Sequence, residues 1–214
     1  TVKGVIKLQG ATHDVIGDRI EAATYMLAAA ITGGDIKVRG INPSYMDATL
    51  KLLTDMGCKI VTSADSVRIV GPKECLPISF ETEPYPGVAT DVQPVFLAAL
   101  SNVIGESRIK ETVFESRFGH VAEYRRFGAD IAISGRTAVI NGKKELSAAP
   151  VEALDIRAAA GLVLMGLVSE GTTQIRELHH LDRGYESIVE KFRSLGVSLS
   201  RIPAVDAREV VVGC

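Results

Sequence analysis

Three stretches of the sequence carry the same punctuation in the same order, and this recurrence limits the fold more than any other feature. Each begins on an aspartate, Asp18, Asp91 or Asp155, and continues as an alanine-rich apolar stretch of helical character: Ile20 to Ile31, Val92 to Ile104 and Ile156 to Val168. Each is stopped by a glycine, Gly34, Gly105 or Gly171, lying 16, 14 and 16 residues past its aspartate. A short β-like run follows in "DIKVRGI", "ESRIKETVF" and "TTQIREL". A second helical segment then ends at Gly57, Gly128 and Gly196, which lie 23, 23 and 25 residues beyond the first glycines. After those glycines the pattern alternates as hairpin strands do, in "CKIVTSADSVRIVG", "ADIAISGRTAVING" and "VSLSRIPAVDAREVVVG".

The expected unit is therefore helix, strand, helix, hairpin. A further strand is expected ahead of each first helix, at Gly4 to Leu8, Ile78 to Glu81 and Pro150 to Ala153. The chain reads as one α/β domain over 1–214, in repeats of approximately 1–72, 73–144 and 145–214. At about 65–70 residues the repeat exceeds solenoid periods. Three such units closing on one another would put the alanine-rich helices inside and the sheets outside. Ala22, Ala23, Ala28, Ala29, Ala30 and Ala158 to Ala160 would let those helices approach closely. Three helices packed on one open sheet would have the same composition.

Bulk properties narrow the partners. Hydrophobic residues make up 46% and charged residues 23%, the balance of a chain with a packed core. A net charge of −2 and pI near 6.1 supply no basic field for a nucleic acid, and aromatic residues at 5% supply few stacking platforms. No apolar run is long enough to span a bilayer, and there is no charged-then-apolar leader. Opening on Thr1 instead of Met hints that a preceding segment is missing. Cys58, Cys75 and Cys214 lack C-x-x-C spacing and read as reduced thiols of a cytoplasmic protein. His179 and His180 are adjacent, but the four histidines form no metal pattern, and no cofactor is expected.

The helix starts carry the functional signal. All three aspartates fall where an N-cap belongs, and Asp18 with Glu21 fits the capping-box spacing, so capping is the bland expectation for each. Capping does not explain their neighbours. Arg19 and Arg157 sit in first turns, where the helix dipole disfavours a cation, Arg117 lies just before a second helix, and Arg183 is expected to open another. Guanidinium groups at helix starts make sense where an anion binds, because free N–H groups and the dipole already favour negative charge there. Rotation of the repeats would gather Arg19, Arg117, Arg157 and Arg183 on one face, with Asp91 and Asp155 among them. In "PYPGVATDVQP" a stiff approach leads to Thr90 and Asp91 at a helix tip, where a carboxylate kept ionised by cations could orient or deprotonate a substrate hydroxyl. Cys58 reads as core, Cys75 as inert and His120 as a helix-start residue.

The motifs "GDRIEAATYMLAAAITGG", "TDVQPVF", "ETVFESRFGHVAEYRRFGADI", "LDIRAAAGLVLMGLVSEGTT" and "HLDRGYESIVEKFRSLG" together resemble the second half of the UDP-N-acetylglucosamine enolpyruvyl (1-carboxyvinyl) transferases, within the EPSP synthase-like superfamily. The resemblance runs nearly the whole length, and "ETVFESRF" and "HLDRGYE" distinguish it from the related shikimate-pathway enzyme. It implies an inside-out α/β barrel of two three-repeat domains that close on substrate. It also implies transfer of enolpyruvyl from phosphoenolpyruvate to the sugar 3-hydroxyl in peptidoglycan synthesis, with release of phosphate. By the same resemblance Asp91 would sit at the sugar hydroxyl and Val113 would hold the amino sugar through its backbone. Arg117 and Arg183 would face phosphoenolpyruvate, with Asp155 and Arg157 in support.

The resemblance assigns a general-acid cysteine, a lysine and further arginines to a first-half domain that this chain lacks. None of its own cysteines lies in a matching motif, so this half alone is expected to be inactive. Ala89 and Pro94 depart from the expected proline and alanine in "GVATDVQP". Three other readings remain open: a non-catalytic module binding nucleotide sugars or anions, a different enolpyruvyl transferase such as the shikimate-pathway enzyme, and a repeat protein acting on RNA termini, which the acidic pI disfavours.

Overall fold

A computed structural model describes residues 1–202 and 209–213. The element sequence helix, strand, helix, hairpin occurs three times. It runs first through α1 (Arg19–Thr32), β1 (Asp35–Arg39), α2 (Asp47–Asp55), β2 (Lys59–Ser63) and β3 (Ser66–Val70). It recurs as β4 (Ser79–Glu81), α3 (Gln93–Leu100), β5 (Gly105–Lys110), α4 (Val121–Arg126), β6 (Asp130–Ser134) and β7 (Thr137–Gly142). The last pass comprises β8 (Pro150–Glu152), α5 (Ile156–Val168), β9 (Thr172–Arg176), α6 (His179–Asp182), α7 (Ile188–Ser194), β10 (Ser198–Ile202) and β11 (Glu209–Gly213).

Three separate open sheets result, ordered β1-β3-β2, β4-β5-β7-β6 and β10-β11-β9-β8, and among the described residues none closes into a barrel. The hairpins are antiparallel, whereas β4 runs parallel to β5 and β8 parallel to β9. Gly57, Gly128 and Gly196 all stop their helices with positive φ, a conformation that glycine adopts without a Cβ penalty.

The core is built on α1, α3 and α5, which pack against one another in all three pairings. Every residue of α3 is buried, and α5 is buried from Ala158 to Leu167. Apart from Gln93, these buried side chains are apolar, which suits helices surrounded on all sides. Small residues set the spacing. A Cβ added to Gly161 would lie 1.7 Å from the Tyr124 hydroxyl oxygen and 3.3 Å from Ala98 Cβ, so α5 admits neither α3 nor α4 this closely with any larger residue there. That hydroxyl donates to the Pro94 carbonyl at 3.2 Å, joining α4 to the first turn of α3.

Four expectations are corrected. Residues 4–8 form no strand; Val5, Ile6 and Leu8 are exposed and touch no core. The middle first helix stops at Leu100 instead of Ile104, because residues 101–104 turn ahead of Gly105. Gly33, with φ 68°, takes the left-handed cap expected at Gly34. Arg183 does not open a helix: it follows α6, and the second helix of that pass begins only at Ile188. Cys214 lies outside the described residues.

Candidate functional site

The start of α3 differs from the starts of α1 and α5. Asp18 accepts hydrogen bonds from the N–H groups of Ile20 and Glu21 at 2.7 and 3.3 Å, and Asp155 from those of Arg157 and Ala158, both at 2.8 Å. Both are N-caps. Before α3 the backbone enters through a 3₁₀ turn, Thr90–Val92, capped at Ala89 with no side-chain bond. Pro94 falls in the first turn, where a missing N–H is tolerated. The Asp91 carboxylate is thereby released from capping.

It turns instead to two guanidinium groups from different parts of the chain. Arg117 Nη2 donates to Oδ1 at 2.6 Å, while Arg157 Nη2 and Nε donate to Oδ2 at 3.3 and 3.4 Å. Burial pushes the Asp91 carboxyl up, but the hydrogen bond and charge of Arg117, and then those of Arg157, outweigh it and hold it below the ordinary carboxylate range. The Asp91 side chain keeps 38% of its exposure, so a ligand can reach it. Arg157 is only 14% exposed, and its Nη1 is buried without a partner among the described residues. A buried, unmatched guanidinium N–H is costly unless an acceptor arrives.

Glu111 holds this arrangement from behind. It is 1% exposed. Oε2 accepts the Thr90 hydroxyl at 2.7 Å, and Oε1 accepts the Thr82 hydroxyl at 2.8 Å and the N–H groups of Val113 and Phe114 at 2.8 and 3.0 Å. Burial raises its carboxyl, and these four donors, Thr90 first, bring it below its usual value. Thr90 in turn accepts from Arg117 Nη1 at 2.9 Å. Arg136 fixes the same loop from outside, donating to the carbonyls of Glu111 and Phe114 at 2.9 Å each. The Arg117 guanidinium lies 4.9 Å from the Phe114 ring centre, within cation–π range. The loop 111–117 is thus fixed relative to the tip of α3.

The structure brings Asp91, Arg117 and Arg157 together and seats Val113 on the adjoining loop, where its N–H is committed to Glu111. Asp155 caps α5 and so sets the helix start from which Arg157 projects. Arg183 is exposed, outside the ion pairs of Asp91. Its turn nevertheless packs at the start of α5, since a Cβ on Gly184 would meet Ile156 Cδ1 at 2.3 Å. Arg19 lies over the Tyr85 ring at 4.9 Å, against the loop that leads to Asp91. His120 is buried between Phe118 and Tyr124; burial, opposed by Asp155 and reinforced by Arg117, pushes it down to about 4, so it is neutral at pH 7. Burial pushes Cys58 up to about 12 and raises Cys75, whose thiol donates to the Ala30 carbonyl, so neither is an activated nucleophile.

Glu111 and Thr90 are the residues that sequence reasoning passed over as site builders. A carboxylate in the otherwise uncharged run "ETVF" at a strand end was the available signal, since a buried charge requires several donors. An ionised carboxylate flanked by two guanidinium groups can orient a hydroxyl on one side and seat an anion on the other.

Residues 1–192 match the family model described as EPSP synthase (3-phosphoshikimate 1-carboxyvinyltransferase). A UDP-N-acetylglucosamine 1-carboxyvinyltransferase of Trichlorobacter lovleyi is 49% identical over 201 residues, covering 94% of this chain and 48% of that protein. One from Geobacter metallireducens is 48% identical over 199 residues, with 93% and 48% covered. The chain therefore spans about half the length of the curated relatives it matches. The enolpyruvyl transferase NikO from Streptomyces tendae superposes with a TM-score of 0.78 at 26% identity, over 94% of this chain and 45% of that one. EPSP synthase from Acinetobacter baumannii shares the fold, with a TM-score of 0.70 at 20% identity over 94% and 46%.

Proposed function

From the premise that this chain belongs to the EPSP synthase family of enolpyruvyl transferases, we propose that it is the second half of an enzyme moving enolpyruvyl from phosphoenolpyruvate to the 3-hydroxyl of UDP-N-acetylglucosamine. The observation that carries this reading is Asp91, held ionised between Arg117 and Arg157 at a helix tip it does not cap. Net, the bond from C2 of phosphoenolpyruvate to the phosphate oxygen is replaced by one to the sugar oxygen, and the hydroxyl proton leaves with phosphate. A carboxylate below its ordinary range is a weak base at neutral pH. Asp91 therefore first orients the hydroxyl, with proton transfer towards it accompanying bond formation. Arg117 and Arg157, with Arg183 brought in by its turn, meet the carboxylate and phosphate of phosphoenolpyruvate. Val113 presents its carbonyl to the amino sugar, since its N–H serves Glu111.

In this reading 1–214 form one domain of three repeats, with approximate boundaries at 72 and 144, in an inside-out α/β barrel. The other domain supplies the general acid and closes over the substrates, which alone brings the reacting atoms together and excludes water. The product would feed peptidoglycan synthesis in the cytoplasm, and no cofactor is required. The names of the 48–49% identical relatives favour UDP-N-acetylglucosamine as acceptor. The family description keeps a second acceptor, 3-phosphoshikimate, as the comparison to make.

Calorimetric titration of the chain with UDP-N-acetylglucosamine, with 3-phosphoshikimate and with phosphoenolpyruvate tests the reading, repeated on Asp91→Ala. Binding of the sugar nucleotide that the substitution weakens supports it. Binding of 3-phosphoshikimate alone would replace the acceptor. If no ligand binds either the chain or the chain joined to the other half of the Trichlorobacter lovleyi relative, the substrate assignment falls.

A further inference from the structure

Behind Arg157 lies a tyrosine to which the reaction above gives no part. Tyr185 is 1% exposed and sits in the turn after α6, where its N–H donates to the Leu181 carbonyl at 3.0 Å. Gly184 has no Cβ to strike Ile156, so this turn lies directly on the start of α5, beside Arg157. The Tyr185 hydroxyl is 2.8 Å from the Thr24 hydroxyl of α1, and both are buried. Thr24 Oγ1 also lies 3.1 Å from the Ile20 carbonyl, which can only accept. The Thr24 proton therefore goes to Ile20, Tyr185 donates to Thr24, and the Tyr185 oxygen is left as an acceptor.

Arg157 is the donor beside that oxygen. Burial raises the Tyr185 hydroxyl and the Asp18 charge adds to the rise, while the bond to Thr24 and then the charge and hydrogen bonding of Arg157 oppose it. The guanidinium is held unevenly. Its Nε–Nη2 edge reaches Asp91 at 3.4 and 3.3 Å, against 2.6 Å for Arg117 on the other carboxylate oxygen. Nη1 points away from that edge, is buried, and makes no bond of ordinary geometry among the described residues. Two acceptors thus compete for one guanidinium, which is drawn fully onto neither.

We propose that Tyr185 is a positioning residue for Arg157: its oxygen, with Thr24 taking its proton, draws the inner edge of the guanidinium towards α1 and keeps the outer edge from closing on Asp91. A guanidinium closed on Asp91 has committed its donors to the protein. One held back keeps them for an incoming carboxylate or phosphate. The same chain of hydroxyls ties the anion site to α1, the one central helix that contributes no residue to the Asp91 cluster. The consequence for phosphoenolpyruvate rests on the reading above, whereas the restraint on Arg157 does not.

Carbon-13 NMR titration of the Asp91 carboxyl in the chain, assigned by its loss in Asp91→Asn, reads the restraint without substrate. That carboxyl faces Arg117 from loop 111–117 and Arg157 from α5. In Tyr185→Phe, Arg157 is free to close on Asp91, and the carboxyl should titrate about 0.3 pH unit or more below the parent. Thr24→Val, which removes the acceptor that orients Tyr185, should shift it the same way, and Thr24→Ser should keep the parent value. An unchanged or higher value in Tyr185→Phe overturns the inference, even if the unfolding midpoint falls, since the Thr24 bond would then only tie the turn to α1. If Tyr185→Phe does not fold, Thr24→Val decides by the same criterion. In the joined two-half protein, Tyr185→Phe should weaken phosphoenolpyruvate binding at least ~3-fold by calorimetry and add nothing further in an Arg157→Met background. Equal weakening in both backgrounds overturns the claim that Tyr185 acts through Arg157. A joined parent that binds no phosphoenolpyruvate counts against the substrate reading, and the titration still decides the restraint.

Discussion

At the start of α5, Asp155 turns its carboxylate onto two backbone N–H groups; at the start of α3, Asp91 turns its carboxylate onto two arginines. The residue type and its place in the repeat are the same, and the difference comes from the approach. The 3₁₀ turn at Thr90–Val92 moves the cap position back to Ala89 and sets Asp91 inside the first turn, facing outward. Loop 111–117 then brings Arg117 to one oxygen, and α5 brings Arg157 to the other. Capping stabilises one helix locally, whereas the Asp91 arrangement joins three elements distant in sequence and leaves donor capacity unused.

The largest test of this contrast is Glu111→Ala. It would leave two hydroxyls and two N–H groups without their acceptor and should cost about 3 kcal/mol or more in urea unfolding, while Glu111→Gln recovers part of it. Arg157→Met, which keeps the buried stem and removes the charge, should weaken phosphoenolpyruvate binding in the two-half protein by at least about tenfold, or ~1.4 kcal/mol, by calorimetry. Equal binding would reduce the Asp91 cluster to a structural ion pair. Asp155→Ala and Asp18→Ala should each lower stability by about 1 kcal/mol as lost N-caps. Asp91→Asn should change it less, by under ~1 kcal/mol, while losing affinity for the sugar nucleotide. A stability loss at Asp91 equal to that at Asp155 would erase the distinction.

The smallest effect is on pH dependence. Asp91 and Glu111 both have folded-state values below their ordinary ones. Their contribution is therefore present above the unfolded carboxylate range of about pH 4 and is lost as pH falls through the folded values. Acid titration of unfolding should be shallower in Asp91→Asn and Glu111→Gln than in the parent.

Much of this was legible beforehand where local chemistry decides it. Gly57, Gly128 and Gly196 mark helix ends because only glycine takes positive φ without cost, and Ile156 to Val168 is the helix its apolar run implies. Arg157 and Arg117 were marked as cations at helix starts, and Asp91 by the stiff approach "PYPGVATDVQP" that leads to it. Glu111 was not legible, because its importance lies in four donors drawn from residues 82, 90, 113 and 114 that converge only in the fold. The strand expected at residues 4–8 failed for a related reason: alternation shows that a segment can pair, but not which edge it pairs with.

The sequence by itself determined the order of elements, the helix ends and the buried small-residue faces, because propensity, capping and periodicity act over a few residues. Which aspartate became a cap and which met arginines, which arginines those were, and which sheet edge stayed unpaired among the described residues were decided only in the tertiary structure. Those outcomes depend on distances between residues tens of positions apart, and packing of the three central helices sets those distances.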